Sequence, residues 1–362
     1  MRKFLLFFLA ALALLSSCRQ AETSPRPTIP LVSSILTDTT GLRQLAATAG
    51  HQGAQGAIAL IGDPADAIRL ARYLQHVDVL DNIDASSRRD SLPDFAGEEI
   101  QVILDALNEP YAHIDLDSLR EAAVRNALFA WDSTCYKRSA DRAASLSKSR
   151  AKVLIFTSPQ QEAYGRFDVD TLLELTGGAS PVLTPVQVML DQAVAAGARH
   201  IAVWAGRSVR ASGAFEQAFE ALQTGGTINV ITPDAALDAR TELRSLLRQY
   251  RTTDHPLDAL LLTDYHADLE SLQSEIALIK VSSMEEDRAF SRMMSSSFFL
   301  LEPCSSLSRA TYRLLRQENL FTHRISLPIV RYYETAESLT GDPVLVEAGY
   351  QYVQSAYVSD FD

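Results

Sequence analysis

The side chains best able to do chemistry in this chain gather where apolar runs give way to polar residues. The run DALLLT, Asp258 to Thr263, is followed by Asp264, Tyr265 and His266, with Asp268 close behind. A carboxylate, a phenol ring and an imidazole at one chain reversal could accept from, stack on and donate to a ligand; equally, Asp264 could cap the next helix. Similar endings recur: Thr157, Ser158, Gln160 and Gln161 at the end of KVLIFT, Trp204, Arg207 and Arg210 around HIAVWAGRSVR, and Glu302 after SFFLL. The stretch DNIDASSRRDSLPDF adds Asp81, Asn82, Asp84, Arg88, Arg89, Asp90 and Asp94. Those groups could hold a polar ligand or a cation, or pair with one another on a solvated loop.

Several chemistries lack their motifs. There is no G-x-S-x-G elbow, no P-loop, no G-x-G-x-x-G after an apolar run and no HExxH, so hydrolase, nucleotide-cofactor and zinc-peptidase readings have no support. Cys135 and Cys304 are too far apart for a metal motif and could pair in an oxidising compartment or stay as buried thiols. No cofactor and no metal is expected, and the balance is against an enzyme.

These residues need a scaffold of alternating strands and helices. Apolar positions Val186, Met189, Leu190, Ala193 and Val194 recur at helical spacing, HIAVW is a short apolar strand, and Phe215, Ala218, Phe219 and Leu222 line one stripe of the next helix. Thr227–Ile231 and Asp258–Thr263 are further strands, which makes the sheet parallel and puts ligand groups at its C-terminal edge. Earlier in the chain, GAIALIG and Val77–Leu80 read as strands, Ala65–Leu74 as a helix, Gly97–Leu107 as a helix, Ala112–Leu116 as a short strand and Leu119–Trp131 as a helix. SADRAASLSKSRAK reads as a polar connector between lobes. Residues 287–296 read as a helix running into a polar loop, and the tail from Ile325 as strands.

The stretch DQAVAAGARHIAVWAG, with ASGAFEQAFEAL and HPLDALLLTDYHADLESLQ after it, resembles the second half of type I periplasmic binding proteins and related sugar-sensing regulators. SSLSRATYRLLRQENLFTHRISLPIVRYYETA is similar to that family's closing helix and strand, so the resemblance spans residues of about 150–335. It departs at the sugar-clamping Arg, which falls at Phe215, and at an Asn replaced by Thr263. The same region also looks like the second half of aspartate/glutamate racemases, where a strand-end Cys removes the α-proton. Thr263 stands where that Cys is wanted, which implies the fold with its chemistry lost.

The N-terminus has Arg2 and Lys3, an apolar run from Phe4 to Leu15, and Ser16-Ser17-Cys18. This reads as a secretory signal too short to span a bilayer, with a lipobox-like ending that would acylate Cys18. Arg19 after it points to the outer membrane, facing the periplasm. Loss of residues 1–17 removes two cations and no acids, taking the formal charge from -12 to -14, a balance that argues against nucleic acid.

The expectation is therefore an α/β protein of two doubly wound parallel-sheet lobes with an interlobe cleft, of the type I periplasmic-binding-protein kind. Its parts would be a signal peptide (1–17), a flexible tether (18–35), a first lobe (36–150), a second lobe (151–335) and C-terminal strands (336–362), hinged near 148–152 and after Glu302. Its function would be to bind a small polar molecule such as a sugar or nucleoside through Asp81, Asn82, Thr157, Gln160, Trp204, Arg207, Arg210, Asp264, Tyr265 and Glu302. Trp204 and Tyr265 would stack on the ligand, Arg210 would replace the missing Arg, and a transporter or sensor would be the partner. The alternatives are a racemase-like fold without activity and a scaffold without a ligand.

Overall fold

The computed structural model describes residues 27–39, 41–140, 145–234, 237–250, 255–322 and 324–349. The apolar run AIALIG forms β1 (Ala57–Gly62), buried along its whole length, as befits a strand covered on both faces. It runs parallel to β2 (Glu99–Leu104) on one side and to β5 (Ala151–Phe156) on the other. Beyond β5 lies β6 (Val182–Leu183); beyond β2 lies β11 (Ile329–Glu337), again parallel. The sheet continues outward through β12 (Pro343–Glu347), β3 (Thr134–Tyr136) and β4 (Ser145–Ser147).

One face of this sheet is covered by α1 (Pro30–Thr37), α2 (Leu42–Ala47), α4 (Leu116–Trp131) and α5 (Pro159–Thr176). The other is covered by α3 (Pro64–His76) and α12 (Pro303–Gln317). Helices α4 and α5 are fastened by the buried pair Arg120–Asp168, bidentate at 2.8 Å on both contacts.

A second, all-parallel sheet has the order β10 (Met294–Leu301), β9 (Leu257–Leu262), β7 (His200–Trp204), β8 (Thr227–Ile231). On one face lie α6 (Pro185–Ala195), α7 (Arg207–Ser212) and α8 (Ala214–Ala221). On the other lie α9 (Ala239–Tyr250), α10 (Leu269–Val281) and α11 (Glu285–Met293). Phe215, 1% exposed, belongs to this core. Val188 of α6 reaches into the first lobe's core, and Gln192 Nε2 donates to Ser306 O at 2.8 Å, so α6 and α12 join the two lobes.

The α/β architecture with parallel sheets is as expected, but the chain is divided differently. The 151–156 strand, expected to open the second lobe, sits beside β1 in the middle of the first sheet, and residues 329–347 return to that sheet. The second lobe is the single stretch between β6 and α12, so one crossing falls near 184 and not at 148–152, while the other does follow Glu302. The polar connector holds the edge strand β4, which pairs antiparallel with β3 just before it. Residues 97–107 contain a strand where a helix was expected, because Ile100, Val102, Ile103 and Leu104 are all covered and β2 is buried on both faces. Residues 77–80 form no strand, 111–113 make a single 3-10 turn, and 294–301 is a strand with no polar loop before it. The tether ends early too, since Val32 and Ile35 of α1 are fully buried; residues 1–26, with Cys18, lie outside those described. Cys135 and Cys304 are both free and buried. Among the described residues no helix is long and apolar enough to cross a membrane, and no cluster could hold a metal ion.

Candidate functional site at the interlobe strand ends

The C-terminal ends of β5, β1, β2 and β11 finish in, or lead directly into, a polar residue or a glycine, and the residues packed there form one network. After β5, Thr157 is fully buried, its N–H donating to Ile61 O at 2.9 Å. Ser158 caps α5, accepting from Gln160 N at 3.2 Å, and Asp63 caps α3 in the same manner through Ala65 N. After β2, Asp105 is fully buried and its N–H donates to Gly62 O at 3.2 Å. Its Oδ2 accepts from Tyr111 Oη at 2.9 Å; its Oδ1 accepts from Asn108 Nδ2 at 2.7 Å and from Thr335 Oγ1 at 3.2 Å. Gln161 Nε2 donates to Tyr111 Oη at 2.8 Å, while Gln161 Oε1 is buried with no hydrogen-bond partner. Burial and the neighbouring Asp105 carboxylate hold the Tyr111 phenol well above its ordinary value.

The second lobe closes directly onto this edge. Tyr265 Oη donates to Thr157 O at 2.7 Å, and Gln160 Nε2 donates to Ser208 Oγ at 2.9 Å. Glu162 of α5 caps the entry helix α6, accepting from Val186 N at 2.8 Å and Gln187 N at 3.0 Å. Burial nevertheless pushes the Glu162 carboxyl up to about 7, against the downward pull of those donors. With both oxygens occupied by a helix N-terminus, this group positions the lobes.

The residues expected to bind ligand divide into several groups. Thr157, Gln160 and Tyr265 do meet at the junction, but Tyr265, 4% exposed, is packed in the first lobe's core and not offered for stacking. Trp204 is likewise buried, among Leu243, Leu246 and Leu262 of the second lobe. Arg207 and Arg210 are exposed on α7, and Asp264 is exposed and accepts from His266 N at 2.8 Å. Glu302 caps α12 through Cys304 N and Ser305 N, both at 2.6 Å. Asp81 and Asn82 belong to a separate loop, where their side chains are paired locally: Asp81 pairs with Arg88 and accepts from Ile83 N, and Asn82 Nδ2 donates to the Leu92 and Pro93 carbonyls. The hydrogen bond from Arg88, aided by backbone donors, holds the Asp81 carboxyl below its usual range. Gln161 belongs to the polar cluster expected after β5, whereas Asp105, Tyr111 and Thr335 were not expected here. Asp105 directly follows the apolar run IQVIL, a signal hidden once that run is read as helix.

Neither described thiol serves this site. Cys135 lies in β3, four strands from β1 and therefore about 19 Å across the sheet. Cys304 shares a buried cluster with Tyr265, but burial, reinforced by the Glu302 charge, holds its thiol far above the usual range. That burial disfavours the thiolate a base would need.

Among solved structures, the chain is similar to a glutamate racemase isoform from Bacillus anthracis, with TM-score 0.52 and 12% identity over 78% of this chain and 90% of that one. The fold is racemase-like. Glutamate racemase from Francisella tularensis in complex with D-glutamate gives TM-score 0.50 and 12% identity over 84% and 94% of the two chains. That from Thermus thermophilus in complex with beta-chloro-D-alanine gives 0.50 and 14% over 86% and 95%. No family model and no curated protein matches the sequence. These racemase neighbours correct the expected similarity to type I periplasmic binding proteins. The strand-Gly-helix runs that suggested it are local and suit many parallel sheets, whereas strand order and the points of chain crossing are not written locally.

Proposed function

We propose that this protein keeps the two-lobed racemase fold without cysteine-dependent exchange of an amino-acid α-proton. The observation that carries this reading is Thr263 at the end of β9, beside Tyr265, whose hydroxyl ties the second lobe to Thr157 O at 2.7 Å. Abstracting a proton from carbon calls for a base of matched pKa within reach, and a threonine hydroxyl is far too weak a base to replace a thiolate. Of the carboxylates at this edge, Asp105 already accepts three hydrogen bonds from side chains, Asp63 caps α3 and Glu162 caps α6 with both oxygens. Incubation with D- and L-glutamate and with D- and L-aspartate in heavy water, followed by proton NMR, should show no α-deuterium. Exchange above the protein-free rate with any of the four would overturn the reading.

A retained ligand at the junction is favoured over a pure scaffold by Gln161 Oε1, a buried acceptor with no partner. A donor-rich small molecule should raise the melting temperature, and at about 100 times its Kd the stabilisation is about 2.7 kcal/mol. The site in the cell is proposed from sequence: the run Met1–Cys18 supports a lipid anchor at the envelope. Labelled palmitate should attach to the wild type and not to Cys18→Ala.

A further inference from the structure

A cavity of about 460 Å3 opens in the first lobe between the 81–96 loop and α12, within the range of small-molecule sites. Its lining includes Leu92, Asp94, Tyr312, Arg316, Phe321 and Arg324. Asp94 is 1% exposed; its Oδ1 accepts from Val79 N and Leu80 N, both at 3.1 Å, but its Oδ2 is buried with no hydrogen-bond partner. Burial pushes this carboxyl above its usual range, yet the protonated form would bring a hydroxyl in need of its own acceptor. In either state a partner is missing.

The rim carries the opposite charge. Arg316 donates to Ile83 O at 3.2 Å and lies 6.0 Å from the Tyr312 ring centroid, and Arg324 reaches Gln55 Oε1 at 3.4 Å. Neither arginine is in an ion pair among the described residues, and both are exposed. Ile83 and Ile325, also in the lining, are 87% and 90% exposed. The site thus offers a buried anionic acceptor within, aromatic and aliphatic walls, and two planar cations at the edge.

We propose that this cavity binds an amphipathic zwitterion the size of a hydrophobic dipeptide, its ammonium donating to Asp94 and its carboxylate meeting Arg316 and Arg324. Charge-assisted bonds at both ends set its direction, and Tyr312 and Phe321 take its side chains. One free carboxylate oxygen is too few ligands for a bare cation such as calcium. The site is separate from the interlobe strand ends, so its test is independent of the racemase question.

Isothermal titration of the whole protein with Leu-Phe, N-acetyl-Leu-Phe and Leu-Phe amide is the test. Leu-Phe should bind, acetylation should weaken binding by roughly tenfold or more, and amidation by several-fold. Asp94→Asn, which keeps an acceptor for Val79 and Leu80, should erase the preference for the free ammonium. The double variant Arg316→Gln, Arg324→Gln should erase the preference for the free carboxylate. Should Asp94→Asn fail to fold, the wild type and the surface arginine variant still decide. No binding of Leu-Phe up to about 10 mM, or equal binding of all three peptides, overturns the proposal.

Discussion

The strands of the first sheet end in two different ways. At the N-terminal edge, Lys152 at the start of β5 and Glu98 just before β2 are both fully buried and meet at 2.6 Å. Lys152 Nζ gives its other donors to Ala54 O at 3.1 Å and Leu320 O at 2.6 Å, and Glu98 Oε1 accepts from Thr322 N at 2.8 Å. All three ammonium donors are used. Burial pulls the Lys152 ammonium below its ordinary value, with Glu98 opposing. At the C-terminal edge the same strands lead into Thr157, Gly62, Asp105 and Thr335, where one carboxylate is surrounded by neutral donors and Gln161 Oε1 is left over. A saturated ion pair can only hold the fold. A carboxylate held by neutral donors, with an amide acceptor to spare beside it, can hold the fold and still take a partner.

The largest expected effect breaks the saturated edge. Lys152→Met leaves Glu98 as a buried unpaired charge, so urea unfolding should show a loss of about 3–5 kcal/mol, whereas adding Glu98→Leu should restore much of it. If the double variant is as unstable as the single one, the pair is not the unit acting there.

Gly62→Ala probes the opposite edge. A Cβ at that position would overlap Thr157 Oγ1 and crowd Gln161 Oε1 at 3.1 Å. The expected cost is about 1–3 kcal/mol, as for overpacking, and Thr157→Ala in the same chain should recover the part due to overlap and leave the backbone strain of a φ of 155°. An unaltered melting curve for Gly62→Ala would show the edge to be looser than these distances imply.

A pH measurement sharpens the contrast through Lys148, which reaches Gln101 Oε1 and the Ala130 and Ser149 carbonyls, each at 3.3 Å. Burial lowers its ammonium from 10.5 to about 8. Below that value both folded and unfolded chains hold the proton and the cost of burying it is present in full. Between about 8 and 10.5 the unfolded chain holds more protons, so this lysine makes stability rise with pH. Lys148→Met should lose that rise relative to wild type; parallel curves would refute it.

The smallest effect belongs to Gln161→Met, expected to cost less than about 1 kcal/mol because the lost bond to Tyr111 is offset by removal of an orphaned oxygen. A loss above about 2 kcal/mol would mean that Gln161 serves chiefly to hold the fold.

How much of this was legible depended on whether a signal was local. GAIALIG, HIAVW and DALLLT read correctly as strands because each is a short apolar run between polar or glycine ends. EEIQVIL carries the same kind of run, yet periodicity alone cannot separate a strand buried on both faces from a buried helix. Misreading it concealed Asp105, and with it the network whose member Thr335 lies 230 residues further along. PLVSSILT held a legible signal, apolar residues at Val32 and Ile35, which its proline-rich surroundings obscured. Trp204 and Tyr265 were correctly placed at strand ends, but a strand-end ring faces ligand or core according to what packs above it, and only the assembled lobes decide.

The route of the chain between the lobes bears on the order in which they are made. Residues 185–301 supply every strand of the second sheet, whereas β2 waits for β11 to emerge more than 220 residues after it. During synthesis the middle lobe can finish while the earlier one still presents the bare backbone of β2, a template for pairing with another chain. The part of the molecule translated first is thus among the last to be sealed, and a ribosome stalled short of residue 329 would display an adhesive, half-built sheet.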